Sequence, residues 1–430
     1  MRPQQSRGQS PDFVLTCPPY AVPPKTGAKR DSYKQSARSF SFSTWWLTVL
    51  AAMLSVAPTA RSECSLPFSA GLQSPVGVVR SNAGDLLVSE SGLAVDEKGL
   101  PVSNSGLISI VNGRGRRTLL SGLPSGVNDQ GGVSGPAGLF MRGRTLYVAI
   151  SAGDAAVKGL TPGSIVVNPA PSSPIFSSVL ALHFSRTVEN TTGGFTLTFD
   201  DQKKLADGRK VRLSNASGEE MIIDLVADFP DFLPDVDANT AHSNPFGLVA
   251  VDDQLYVTDG GENKIWQIDL STGSFKTLTH FRRVANPLYP EPGLGGANED
   301  AVPTGITYSE GRLLVALFRG VPFAPGTSVV EQVDPVTGSH RKFITGLTSA
   351  IDIKPVTNRG ITEYLVLQFS SVGPFLGGPG LVLRFASPDS PGVVVTNRLT
   401  SPTSMALDER TGTLYVTELT GDIIPITVLP

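Results

Sequence analysis

Charge is scarce in this chain, and cysteine is nearly absent. Only 17% of its 430 residues are Asp, Glu, Lys or Arg, and the formal net charge is -3. Nucleic-acid binding rewards a clustered basic face, which so neutral a chain does not offer. The one dense basic run, Gly113-Arg-Gly-Arg-Arg117, lies between strand-like runs and reads as a solvated hairpin turn. The cysteines are Cys17 and Cys64. The first falls in an expected leader, so the mature chain has one thiol and no internal disulfide. Stability must then come from the core.

A membrane-length apolar run is also missing. "TWWLTVLAAMLSVA", Thr44 to Ala57, has about 14 residues, where a spanning helix needs roughly 20. Arg30, Lys34 and Arg38 precede it and small residues follow, the pattern of a secretory signal. Residues 1–43 show no periodicity and read as disordered. The expected division is a leader and signal over residues 1–62 and an exported domain over 63–430. Cleavage is expected between Ala60 and Ser65. Glu63, directly before Cys64, excludes a lipoprotein site.

What the chain has in quantity is glycine, 45 residues, and proline, 34. Such usage suits many short strands and many turns. A repeat supplies them. "PFGLVAVDDQLYVTDGGENKIWQIDLSTG" from Pro245 reads as three strands joined by Asp-Asp, Asp-Gly-Gly and Ser-Thr-Gly turns. Similar stretches begin near Pro75, Pro136, Pro303 and Pro402, with a weaker copy at Ala350. The spacings are 61, 109, 58, 47 and 52 residues. Periods near 40–50 with about four strands each signal propeller blades. The fold expected is therefore all-β, a six-bladed β-propeller of four-stranded antiparallel blades.

A shared signature ends the outer strand: "LLSGL" at Leu119–Leu123, "FITGL" at Phe343–Leu347 and "VTNRL" at Val395–Leu399. The same signature, "FSAGL" at Phe68–Leu72, precedes the first repeat, while the last repeat has only three strands. Phe68–Leu72 is thus expected to be the outer strand of the last blade, closing the ring and removing free edges. The long interval holds Ser185 to Met221, whose "GFTLTF" and "GRKVRLS" read as an extra hairpin on the face opposite the long loops.

With strands lettered A to D outward from the axis, the long D–A and B–C connections all fall on one face. Loops gathered on a rigid scaffold carry function more often than not. Asn128, Asp129, Asp237, His242, Asn298, Glu299 and Asp300 lie on these loops as ligand-face residues. Glu90, Asp259 and Glu418 follow second strands, and with Asn244 they form a candidate oxygen-ligand set for Ca²⁺ or another divalent cation. Against this, Asn, Asp and Gly are ordinary turn formers. His242 with Asp237 has the composition of a general base and its orienter. No G-x-S-x-G elbow, H-E-x-x-H, P-loop or paired C-x-x-C is present.

"VPTGITYSEGRLLVALFRGVPFAPGTSVVEQVDPVTG", "ITGLTSAIDI" and "DLVADFPDF" with the Ser243 repeat resemble the ScyD/ScyE family. That resemblance covers roughly Leu66 to Ile424 and implies an exported six-bladed propeller without catalytic residues to carry over. More distantly the sequence is similar to gluconolactonase-type hydrolases and streptogramin lyases. The hydrolases hold a divalent metal at the channel mouth, and Glu90, Asn244 and Asp259 stand where they would mimic such ligands. Two functions are expected from this: a monomeric binding module for a small molecule, glycan or protein, or a metal-dependent hydrolase or lyase.

Overall fold

In the computed structural model, residues 66–429 are described except 161–164, 192, 234–241, 359 and 374–376. Six sheets succeed one another along the chain. The first comprises Pro75–Arg80, Leu86–Glu90, Gly106–Asn112 and Gly115–Leu123. The second comprises Pro136–Arg142, Thr145–Ile150, Ser178–Phe184 and Glu220–Asp228, and the third runs from Pro245–Val251 to Phe275–His280. The fourth spans Pro303–Ser309 to His340–Leu347, and the fifth Ala350–Asn358 to Val393–Leu399. The sixth has Pro402–Asp408, Thr413–Glu418 and Asp422–Thr427. Each inner strand packs on the next, and the sixth packs on the first. The fold is a six-bladed β-propeller.

The repeat motif has a packing reason. Every inner strand carries a bulge at its start, after Pro75, Pro136, Pro245, Pro303, Ala350 and Pro402. In the first two repeats the glycine of P-x-G, Gly77 and Gly138, faces the next blade. A Cβ there would collide with the Ala137 and Phe246 carbonyls. Hydroxyls then bridge neighbouring blades. Ser151 Oγ donates to the Pro245 carbonyl at 2.9 Å, and Thr403 Oγ1 donates to the Pro75 carbonyl at 3.0 Å. Ser89 and Thr258 donate in the same way to Ala137 and Thr304.

A second contact recurs in all six blades. The N–H just past the second strand donates to the carbonyl just ahead of the inner strand. The pairs are Ser91–Ser74, Ser151–Gly135, Gly260–Asn244, Phe318–Val302, Phe369–Ser349 and Leu419–Ser401, at 2.9–3.1 Å. This bond pins the start of every blade to the same face.

Closure follows the sequence expectation. Ser69 bridges Ile423 antiparallel, with Phe68 N–H donating to the Ile423 carbonyl at 2.7 Å and Leu72 N–H to that of Gly421 at 3.0 Å. Phe68 packs on Tyr415, and Leu72 is buried in the same apolar cluster as Ile423. The glycine of the shared signature is left-handed, with φ of 73° at Gly71 and 76° at Gly122 and Gly346. Only glycine enters that region without strain.

The insertion differs from the expected hairpin. Phe195–Thr196 pairs in parallel with the outer strand of blade one, Phe195 opposite Leu120. The chain then turns into the helix Phe199–Ala206. Thr198 and Asp201 form a capping box, which ends the strand and starts the helix. Val211–Ser214 is a strand as expected, and it pairs with Glu220–Asp228 rather than with Phe195–Thr196. Val188, Phe195, Leu197, Leu205 and Val211 join the cores of blades one and two in one cluster. The insertion therefore covers both outer edges instead of standing off a face. The basic run is also more engaged than a solvated turn. Arg117 donates to the Val188 carbonyl at 3.0 Å and to that of Glu189, at the end of a short 3-10 helix. Among the described residues no helix is long and apolar enough to cross a membrane.

Candidate functional site

The acids that end second strands share one task. Glu90 Oε2 accepts the Gln73 N–H at 2.5 Å, Asp259 Oδ1 the Asn244 N–H at 2.7 Å, and Glu418 Oε1 the Thr400 N–H at 2.6 Å. In blade five the same place is held by Gln368, whose Oε1 accepts the Thr348 N–H at 3.0 Å. An uncharged amide does the work of the acids, so the work is clamping the incoming loop. In Asp259 and Glu90 the remaining oxygens are occupied as well. Asp259 accepts from Gly261 N–H at 3.1 Å, Glu262 N–H at 3.0 Å, Trp266 Nε1–H at 2.8 Å and the Ser243 hydroxyl. Glu90 accepts from Ser109 Oγ and is paired with Arg116 at 2.9 Å.

Burial pushes Glu90 above its ordinary value, opposed by Ser109, the Gln73 N–H and Arg116. Burial raises Glu418 too, opposed by the Thr400 N–H and aided by the charge of Asp422. These side chains sit in separate blades with partners of their own. Among the described residues no three His, Cys, Asp or Glu side chains assemble into a metal-holding group.

The ligand-face residues divide into three groups. Asn128 forms a turn: its Oδ1 accepts from Gln130 and Gly132 N–H at 3.0 and 2.9 Å. Glu299 and Asp300 are buried and Asn298 is exposed. Glu299 Oε1 accepts from Ala324 N–H at 3.2 Å, and burial raises its carboxyl against the charge of Arg319. Asp300 accepts from Asn263 Nδ2 at 3.2 Å. Asp237 lies outside the described residues.

The third group is gathered at the base of the loop between blades two and three. His242 is 6% exposed, and its Nδ1 is buried with no hydrogen-bond partner. Phe232 bridges His242 across this loop, and Ser243 N–H donates to the Asp231 carbonyl at 3.3 Å. Ser177 Oγ donates to the Ser243 carbonyl at 3.2 Å, fixing the loop base to blade two. Asn244 Oδ1 accepts the Ala152 N–H at 3.2 Å. Burial lowers the His242 pKa, opposed by the charges of Asp129, from the previous loop, and Asp259. The imidazole is thereby held toward its neutral form.

Asp228 and Asp231 belong to the same corner, and the sequence reading did not single them out. Their signal was present in "DFPDF", two acids flanking a proline where an outer strand ends. Asp231 Oδ1 is buried and unpartnered. Burial raises Asp231, with Ser177 opposing. Asp228 is pushed up to about 6 by burial and by the like charge of Asp231.

The chain matches no protein-family model and no curated protein sequence. It is similar in structure to a streptogramin B lyase, at 15% identity and a TM-score of 0.39, covering 85% of this chain and 97% of that one. It is also similar to a provisionally assigned 6-phosphogluconolactonase from Bacteroides uniformis. There the identity is 12% and the TM-score 0.42, with 84% of this chain and 87% of that one covered. Both are β-propeller proteins.

Proposed function

We propose that the protein is a binding module whose loop face takes a small molecule, a glycan or a protein. The observation that carries this is His242: a buried imidazole with an unpartnered Nδ1, set among loops that long insertions have built up. A buried polar atom without a partner costs free energy in an isolated fold, so such groups call for an explanation. A ligand that bonds to it supplies one. The metal-dependent hydrolase or lyase is the weaker reading, because Glu90, Asp259 and Glu418 each spend an oxygen on a backbone N–H of the incoming loop, and the other oxygens of Glu90 and Asp259 are engaged as well. Membership of the ScyD/ScyE family, export after cleavage near residue 62 and a monomeric state belong to the same proposal. They are motivated by the repeat motifs and by the short apolar run before residue 58.

The test is a binding screen of the purified domain against glycans, metabolites and candidate proteins. Asp129→Arg alters the loop face, and Val336→Lys alters an exposed C–D turn on the opposite face. A ligand of this face should bind the wild type and the Val336 variant and lose the Asp129 variant. Ligands that bind all three alike would overturn the reading.

A further inference from the structure

Among the described residues nineteen large apolar side chains are exposed, and seven of them lie on three loops of one face. Residues 91–105 and 151–177 follow the second strands of blades one and two, and residues 124–135 join those blades. A knot of hydrogen bonds holds the three loops together. Ser105 N–H donates to Ser125 Oγ at 2.9 Å, Asn104 Nδ2 to the Ser172 carbonyl at 3.0 Å, and Ser172 Oγ to the Ser125 carbonyl at 3.3 Å. The exposed apolar residues stand beside this knot. Leu93 N–H donates to Ser105 Oγ at 2.9 Å, and Leu100 belongs to the hairpin in which Val95 bridges Pro101. Val127 lies just past Ser125. Val166 and Val167 are exposed on Ile165–Val167, which pairs with Ala156–Lys158. The next residue, Asn168, donates to the Asp154 carbonyl at 2.7 Å, and Asp154 accepts from Ser172 Oγ at 3.0 Å. Apolar side chains scattered over a surface need no explanation, but a group of them on loops fixed to one another marks a contact surface.

The rest of the chemistry on these loops narrows what they touch. They carry four carboxylates, Asp96, Glu97, Asp129 and Asp154, against Lys98 and Lys158 and no arginine. An anionic lipid surface would meet like charge there, and so would a second copy of the same face. The apolar surface is aliphatic: Phe176 is the one aromatic residue of the three loops, and it is buried. Such a surface suits apolar side chains better than the polar edges of a glycan.

We propose that these three loops dock a protein partner, through a segment that presents apolar side chains flanked by lysine or arginine. Apolar contact supplies the affinity, and the opposite charges steer and orient the partner. This rests on the loop-face binding reading and narrows it to a protein of basic, amphipathic character.

The experiment is fluorescence anisotropy of the purified protein with three labelled peptides of equal length. One is an amphipathic leucine–lysine peptide, the second has glutamate at every lysine position, and the third has serine at every leucine position. The leucine–lysine peptide should bind at least tenfold more tightly than either of the others. Val166→Ser with Val167→Ser should weaken it at least fivefold. Leu100→Ser, at an exposed position, should do the same and serves if the first variant does not fold. Glu97→Lys should weaken it too and reduce its salt dependence. Val393→Ser, at an exposed valine on the outer strand of blade five, should leave binding unchanged. Equal affinity for the lysine and glutamate peptides overturns the proposal. Unchanged affinity in the Val166/Val167 and Leu100 variants, or an equal loss in the Val393 variant, also overturns it, as does failure of the leucine–lysine peptide to bind. A metabolite or glycan lost on Asp129→Arg would then leave the loop-face reading standing.

Discussion

Asp259 and Asp231 are both aspartates on the same face, in neighbouring blades, and their environments are opposite. Asp259 is fully buried and meets five donors from its own blade and incoming loop. Asp231 is half-buried and keeps one buried oxygen without a partner. Composition made the first the better site candidate, because acids at equivalent positions of a ring look like a ligand set. Partner counting reverses that order. An acid whose lone pairs are all occupied by its own fold is part of the scaffold, and one with an unfilled oxygen is open to a ligand.

The scaffold side of this comparison breaks most severely at ring closure. Deleting Pro67 to Leu72 removes three backbone hydrogen bonds and a buried leucine. At about 1 kcal/mol per hydrogen bond and about 2–3 for the leucine, the loss is roughly 5 kcal/mol. That approaches the whole stability of many domains. The expected outcome is loss of the cooperative thermal transition by calorimetry, and a retained transition would mean that the ring closes without this strand. Next in size is Asp259→Ala. It leaves buried donors without their acceptor, and should cost about 3–5 kcal/mol in denaturant unfolding. A loss under about 1 kcal/mol would remove Asp259 from the scaffold class.

A subtler change sharpens the same contrast. Gln368 shows that the clamp needs an acceptor and no charge. The raised pKa of Glu418 means that its ionised form is disfavoured in the fold. Its stabilising contribution is complete below the unfolded value and is lost as pH rises through the folded one. Glu418→Gln should therefore raise the melting temperature at neutral pH, by the equivalent of about 1 kcal/mol or less. The gain should shrink toward zero as pH falls below about 4.3, the ordinary glutamate value. A variant less stable than wild type at pH 7 would show that the negative charge itself holds the loop.

Much of the scaffold was legible in sequence because it is repeated. The P-x-G start and the G-L end recur, and each recurrence reflects a local requirement: close approach of a neighbouring carbonyl at Gly77, or a left-handed turn at Gly71. The insertion was misread because "GFTLTF" alternates like a strand while Thr198 and Asp201 cap a helix within it. The candidate site was legible only in part. His242 and Asp129 stood out by residue type and loop length. Asp228 and Asp231 did not, because their significance depends on which atoms remain unpartnered, and no repeat encodes that. Arg116 and Arg117 looked like free surface charge because their acceptors, Gly71, Glu90, Val188 and Glu189, are distant in sequence.

The smallest expected effect concerns metal. If Glu90, Asn244, Asp259 and Glu418 held a resident divalent cation, chelation would remove a ligand that stabilises the fold by mass action, by about 2.7 kcal/mol at a hundredfold excess over its dissociation constant. That would shift the melting temperature by several degrees. The geometry argues for no shift. Glu90 is neutralised by Arg116, and Asp259 is filled by donors from Ser243 to Trp266. Glu418 faces Thr400 N–H and lies in a different blade from both. EDTA should leave the melting temperature of the purified domain unchanged within error, and elemental analysis should find no stoichiometric metal. A drop in melting temperature that Glu90→Gln with Asp259→Asn abolishes would return these acids from scaffold to site, and the hydrolase reading with them.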